Sequence, residues 1–263
     1  MGSATRSALE SARTALAAAK GVDLALGEQM LAAARTIGSS PQLLSALSNP
    51  SADAAGTKAL VASVFAELGA TARGLLDVVV SSRWSSGDDL LAGIEELGIR
   101  AIAASAKSPG VIEAQLFEFG RAVTSDAELE LAIGSKRGTA EGKLSLVTSL
   151  LGSAALPQTV AIAGHLVQQP RGRRIGELVR SAVSTVADTT GKGVATVTVA
   201  RPLSSQQLSA VTASIARRYG REHVINQVVD PALLGGVRVQ VGDEVIDGSV
   251  ASRLADVRLQ LAG

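Results

Sequence analysis

The 263-residue sequence has no cysteine, which excludes disulfides, thiolate nucleophiles and zinc sites built on thiolates, and suits a reducing compartment. Aromatics are scarce: one Trp, one Tyr and three Phe leave little on which nucleic-acid bases could stack. The only two histidines, His165 and His223, fall in different expected domains without HExxH spacing, so metal chemistry has no recognisable ligand set. An excess of one charge is missing too, since 25 Lys+Arg face 24 Asp+Glu for a net +1. The balance holds locally, with 8 basic and 10 acidic residues in 1–104, 9 and 8 in 105–190, and 8 and 6 in 191–263. Together with 46% hydrophobic residues, this excludes a disordered tail and a broadly basic nucleic-acid binder. The opening MGSATRSALESARTAL lacks the apolar core of a secretory signal, and Arg6 stands where a myristoylation signal wants Ser or Thr. The longest uncharged stretch, Leu144 to Pro170, is broken by Gly152, Pro157, Gly164, His165, Gln168 and Gln169. It reads as a pair of core helices and not as a membrane span.

What is present is alanine and leucine at helical spacing. From Ala4 to about Ala187 the composition favours helix. Met30, Ala33, Ala34 and Ile37 recur at i, i+3, i+4, i+7, and Leu60, Val61, Val64, Phe65 and Leu68 repeat the pattern. Turns or helix starts are marked by Ser40-Pro41, Asn49-Pro50, Ser85-Ser86-Gly87, Ser108-Pro109-Gly110, Leu156-Pro157 and Gln169-Pro170. Three blocks recur in order: RTIGSSPQLLSAL from Arg35 with RAVTSDAELELAI from Arg121, KALVASVF from Lys58 with KLSLVTSL from Lys143, and RWSSGDDLLAGI from Arg83 with RGRRIGELVRSA from Arg171. Two related helical bundles in tandem are expected, at 1–104 and 105–190. The stretch from Gly98 to Ile112 leaves little room for a separate first helix, so the second copy is expected to share the helix that begins near Ser86.

At Gly191 the pattern changes. VATVTVA from Val194 predicts a strand, and Ser204 with Gln207 has the spacing of a capping box for a helix running to about Tyr219. His223–Val229 and Gly236–Val241 read as two more strands around turns at Asp230-Pro231 and Gly235-Gly236, and Ser249 as the cap of a final helix. The expected fold is thus mainly α, with tandem N-terminal helical bundles followed by a small α+β domain over 191–263.

Catalytic signals are weak. Gly138-Thr139-Ala140-Glu141-Gly142-Lys143-Leu144 has three residues where a phosphate loop has four, and Leu144 replaces the magnesium-binding hydroxyl, so a helix start is expected there. The carboxylates of Asp88-Asp89, Glu95-Glu96 and Asp243-Glu244 are adjacent and point to different sides of an element, which suits solvation better than acid-base work. His165 reads as a core or boundary residue and His223 as solvent-facing. Arg171, Arg173 and Arg174 form the densest basic spot and Arg217, Arg218 and Arg221 a second, both read as solubilising or as contacts for an acidic protein helix. No cofactor is expected. Residues alone leave open a small-molecule enzyme or a nucleic-acid adaptor carrying helical regulatory bundles.

The stretch VINQVVDPALLGGVRVQVG from Val224, followed by DEVIDGSV from Asp243, resembles the family of F-type ATP synthase delta subunits, whose mitochondrial relative is the oligomycin-sensitivity-conferring protein. Asp230, Gly235, Gly236, Gly242, Asp247, Gly248 and Ser249 carry the likeness. The helical half resembles the family's N-terminal bundle through the Lys58, Lys143, Arg83 and Arg171 blocks, although the usual member has a single bundle; the longer form is similar to that of high-GC Gram-positive bacteria. The resemblance implies a non-catalytic stator subunit at the cytoplasmic face of the bacterial plasma membrane. It would seat on N-terminal segments of the alpha subunits of the catalytic head and hold the b-type subunit of the peripheral stalk, without nucleic acid and without entering the membrane. Val250, Leu254, Val257 and Leu261, on one face of the expected last helix, are the candidate stalk contacts.

Overall fold

The computed structural model describes residues 2–135 and 138–249. Among the described residues eleven helices come first: α1 (Ser3–Ala18), α2 (Leu24–Ser39), α3 (Pro41–Ser48), α4 (Ala54–Val64), α5 (Ala70–Ser81), α6 (Gly87–Ala104), α7 (Pro109–Ser125), α8 (Ala127–Gly134), α9 (Ala140–Leu151), α10 (Pro157–Gln168) and α11 (Ile175–Asp188). Then follow β1 (Gly193–Val199), α12 (Ser205–Tyr219), β2 (His223–Val229), β3 (Val237–Val241) and β4 (Glu244–Asp247). The chain is mainly α with a small α+β C-terminal part. It divides into two compact units, Met1–Val186 and Ala187–Gly263, so the helical stretches expected as bundles fall within the first except for residues 187–190.

Local chemistry explains where the helices start. The side chains of Asp23, Ser40, Asp53, Ser86, Asp126 and Thr139 each accept a backbone N–H in the first turn of α2, α3, α4, α6, α8 and α9, satisfying donors that the helix itself leaves open. Pro41, Pro109 and Pro157 open α3, α7 and α10, where a missing N–H costs nothing. Thr139 at the cap of α9 accounts for the near miss to a phosphate loop, which is a helix start.

Two groups of helices have matched lengths. The helices α2, α3, α4 and α5, of 16, 8, 11 and 12 residues, are followed by α7, α8, α9 and α10, of 17, 8, 12 and 12. Starts at Leu24, Pro41, Ala54, Ala70 and Gly87 are matched by Pro109, Ala127, Ala140, Pro157 and Ile175, at separations of 85, 86, 86, 87 and 88 residues. Packing matches as well: α1 lies on α5 as α6 lies on α10, α4 on α5 as α9 on α10, α2 on α3 as α7 on α8, and α2 on α5 as α7 on α10.

The helix between the groups is α6. It packs on α1, α2, α3 and α5 on one side and on α7 and α10 on the other. Accordingly it has buried residues at nearly every angular position, with Leu90, Leu91, Gly93, Ile94, Leu97, Gly98, Ile99 and Ala101–Ala103 all covered. Its closest neighbour is α2. A Cβ on Gly27 would lie 2.7 Å from the carbonyl oxygen of Gly98, and one on Gly98 would lie 3.1 Å from that of Gly27, so the two backbones touch where they cross. Met30, Ala33, Ala34 and Ile37 of α2 are buried as their spacing predicted. In α4 only Val61 is buried, while Val64, on the same expected stripe, is 42% exposed.

The first group has its own core, from Ala8 in α1 through Met30, Phe65 and Leu76 to Trp84 and Leu97. Trp84, between α5 and α6, donates its indole N–H to the Val79 carbonyl at 2.7 Å and lies against Gly93, leaving no room there for a side chain. In the second group Ile112, Leu116, Phe119, Val147, Ile162, Leu166 and, along α11, Ile175, Leu178, Val179, Ala182 and Val183 are buried.

In the C-terminal unit the strand order is β2-β1-β3-β4. β1 and β2 are parallel and joined through α12, β1 and β3 antiparallel, β3 and β4 antiparallel. β1 alternates buried with half-buried residues, and Ala195, Val197 and Val199 form a small core with Ile215 of α12. The capping box of Ser204 with Gln207 is formed. One strand is not expected from the sequence and one reading needs correction. Glu244–Asp247, to which the sequence pattern assigns no element, forms β4, because it pairs with β3 across a turn at Gly242. His223, read as solvent-facing, is 6% exposed: it sits beside Gly193 of β1, its Nδ1 lies 2.9 Å from the Arg221 carbonyl, and its ring is 5.3 Å from that of Tyr219.

Candidate functional site

The signature of the C-terminal unit gathers around the end of its sheet. Asp230 ends β2 and closes its own turn, accepting the Ala232 N–H at 2.9 Å, while its backbone N–H reaches the Val199 carbonyl at 2.9 Å. The turn returns through Gly235 and Gly236, at φ +117° and +85°. Gly236 passes so near the chain leaving β4 that a Cβ would lie 2.5 Å from the Gly248 carbonyl oxygen, and the Gly248 N–H in turn donates to the Val237 carbonyl at 2.9 Å. Asp247 fixes the exit. It accepts the Ser249 N–H at 2.9 Å and takes Arg238 Nε and Nη2 at 3.1 and 2.9 Å. The hydrogen bonds from Ser249, then that from Arg238, hold the Asp247 carboxyl down to about 2. Ser249 is buried. Val250, Leu254, Val257 and Leu261 lie outside the described residues.

At the other end of β4 Glu244 receives the Tyr219 hydroxyl at 2.7 Å and Arg218 Nη2 at 2.8 Å, and these bonds, the tyrosine's foremost, lower its pKa. Arg221 pairs with Asp188 at 3.5 Å. The second basic spot is thus largely neutralised by partners within its own unit.

In the helical unit the sequence reading missed a buried ionic cluster. Glu95, expected to be solvated, is 7% exposed at the centre of α6, and Arg171, expected on a basic surface patch, has a side chain only 14% exposed and turns inward onto it. Arg171 Nη2 contacts Glu95 Oε2 closely, and Arg173 Nη2 lies 3.2 Å from the same oxygen. His165 of α10 brings Nε2 to 3.2 Å from Glu95 Oε1, and Arg35 of α2 brings Nη1 to 3.1 Å from His165 Nδ1. Burial by itself would push the Glu95 carboxyl up, but the His165 hydrogen bond and the charges of Arg171 and Arg173 bring it below its ordinary value. For His165 burial dominates and lowers the pKa, against the pull of Glu95. The neighbouring Glu96 faces the other way and bridges Arg13 of α1 and Arg100, each at 2.7 Å. Adjacency of the two carboxylates hid this: the spacing showed that they diverge, but not that one diverges into the interior.

No group of three or more His, Cys, Asp or Glu able to hold a metal occurs among the described residues, and no described helix is long and apolar enough to cross a membrane. Exposed leucines do occur on the second helical group, at Leu131 of α8 and at Leu144 and Leu150 of α9.

The described residues form a helical unit and a βαβ-containing unit whose turns carry the signature that resembles the delta subunits of F-type ATP synthases. The family model described as the ATP synthase delta (OSCP) subunit matches residues 99–261, and the chain belongs to that family. It is accordingly a non-catalytic subunit of F-type ATP synthase and a component of the peripheral, stator stalk. Among its relatives, the ATP synthase subunit delta of Leifsonia xyli is 51% identical over 264 residues and that of Streptomyces griseus 38% over 271, each alignment covering the whole of both chains. A chain of the Toxoplasma gondii mitochondrial ATP synthase hexamer covers 64% of this chain and 95% of its own, at 22% identity and a TM-score of 0.37, too slight a likeness to carry weight.

Proposed function

We propose that this chain links the crown of the catalytic head to the distal end of the b-type stalk at the cytoplasmic face of a bacterial membrane, so that the head does not turn with the central rotor. The helical unit would grip N-terminal segments of the alpha subunits, and the C-terminal unit would hold the b subunit. The observation that carries this reading is the family match, which spans both units from Ile99 onward.

We further propose that the helical unit is two copies of one bundle that share α6, the tandem arrangement expected at 1–104 and 105–190. The matched lengths, spacings and packing of α2–α5 and α7–α10 support it. The copy inside the family match is the second, and Leu131, Leu144 and Leu150 give it apolar surface for a partner helix, so the head contact is assigned there. In the C-terminal unit Asp230, Gly235, Gly236, Gly242, Asp247, Gly248 and Ser249 would act as scaffolding, setting the path into 250–263, with Val250, Leu254, Val257 and Leu261 as the stalk contacts. Two-point attachment would give the link a strength beyond either contact alone.

The test is bridging by the full chain. Purified head should be retained on beads bearing the soluble part of the b subunit only when the chain is present, and Leu131→Glu with Leu144→Glu should abolish retention of the head while leaving b binding intact. A chain that binds neither partner would refute the stator link; a double variant that still holds the head would refute the assignment to the second copy.

A further inference from the structure

The Glu95 cluster joins four separate pieces of backbone: α2 through Arg35, α6 through Glu95, α10 through His165, and the loop after α10 through Arg171 and Arg173. Its polarity is fixed by elimination. Arg35 can only donate, so His165 Nδ1 must accept; the proton of the neutral ring then sits on Nε2 and is donated to Glu95, which has only acceptors. The result is a one-way relay, Arg35 to His165 to Glu95, met from the far side by Arg171 and Arg173. A second proton on His165 would have to go on Nδ1, pointing at the Arg35 guanidinium, and would add a positive charge to a site already holding three.

The loop has been shaped to reach this site. Arg171 adopts φ +48°, a left-handed conformation that a non-glycine residue enters only when contacts hold it there, and its Nη1 also donates to the Asp88 carbonyl at 3.3 Å at the start of α6. Other titratable groups near the relay are few: Asp88, 3.9 Å from Arg171, and Glu28 of α2, which acts on Arg35.

We propose that this relay is an acid-releasable latch that fastens α10 and the 169–174 loop to α2 and α6, making the two helical groups move as one body above neutral pH and freeing the second when His165 takes up a proton. The direction follows from the two groups. His165 titrates below its ordinary 6.5 in the folded chain, so its stabilising effect is full above 6.5 and is withdrawn as the pH falls from there towards its folded value; Glu95, held below 4.5, is lost only further down. The latch holds whichever partner each helical group takes.

Hydrogen exchange on the full chain, corrected for the intrinsic effect of pH, tests it by comparing 157–174 with the reference helix at 70–81. Glu95→Gln and Arg35→Gln should each reduce protection of 157–174 by about 10-fold or more at pH 7.5, with 70–81 unchanged, as expected for loss of a charge-assisted hydrogen bond. The unsubstituted chain should show the same selective loss on moving from pH 7.5 to 5.5, and His165→Gln should remove that pH dependence. If Glu95→Gln fails to fold, Arg35→Gln decides, since it leaves Glu95 with His165, Arg171 and Arg173. Unchanged protection of 157–174 in Arg35→Gln would overturn the latch; equal loss of protection in wild type at pH 5.5 in both segments would overturn its acid release.

Discussion

The two helical groups have nearly the same lengths and contacts, but the loops at matched places are anchored by opposite chemistry. In the first, the loop from α5 into α6 buries Trp84 against Gly93, with one hydrogen bond to satisfy its indole. In the second, the loop from α10 into α11 sends Arg171 and Arg173 onto Glu95. An apolar plug is indifferent to pH and salt and gains from area alone. An ionic one costs desolvation and holds only while every member is present and in the right protonation state. Under the proposed duplication, one bundle pattern would carry a permanent seam and a conditional one, differing in a loop and the helix facing it.

This contrast can be broken from either side. The largest effect is expected for Trp84→Ala, which should cost about 3–5 kcal/mol in urea unfolding of the helical unit and cost the same at pH 5.5 and 7.5. Next, Gly98→Val puts a branched side chain where two backbones touch; about 1–3 kcal/mol or more should be lost, and α2 should exchange faster than α7. Arg171→Met should cost about 1.5–3 kcal/mol at pH 7.5, and less at pH 5.5 where the cluster is already weakened, so the difference between the two pH values separates it from Trp84→Ala. Smallest is Asp247→Asn in the C-terminal unit. With its carboxyl held at about 2, Asp247 lends stability above its ordinary 3.8 that is lost as the pH falls through the folded value, so the variant should be slightly less stable than wild type at neutral pH, flatten the acid limb of that unit's unfolding curve and converge with wild type below about pH 2.

Much of the architecture was legible from the residues. Helix starts at Ser40, Ser86 and Thr139, prolines at helix starts and the Ser204–Gln207 box are local signals, and local geometry obeys them. The alternation in β1 was equally plain. Val64 shows the limit of periodicity: spacing placed it on the stripe with Val61 and Phe65, but α4 is covered chiefly by α5, and a single neighbour hides a narrower face than the pattern suggested. β4 was missed because four residues without strong alternation become a strand only through pairing with β3. The ionic cluster was invisible for a related reason. Glu95 and Arg171 are far apart in the chain, and each stands near a residue of like charge that stays out of the cluster, Glu96 turning to Arg13 and Arg100 and Arg174 lying exposed. A clue lay in α6 itself, which has apolar residues on all sides around Glu95 and so leaves that carboxylate no polar face to occupy.

The same helix has a bearing on how such a chain can change over generations. Because α6 is a wall for α1, α2, α3 and α5 and also for α7 and α10, a deletion that removes either set of neighbours bares a face made of residues such as Leu91, Ile94 and Ile102 and invites aggregation. Under the proposed duplication, losing one bundle would not be the reverse of gaining it. A chain sharing a helix in that way would be committed to its length, free to vary the loops and surfaces of each half but not to discard either one.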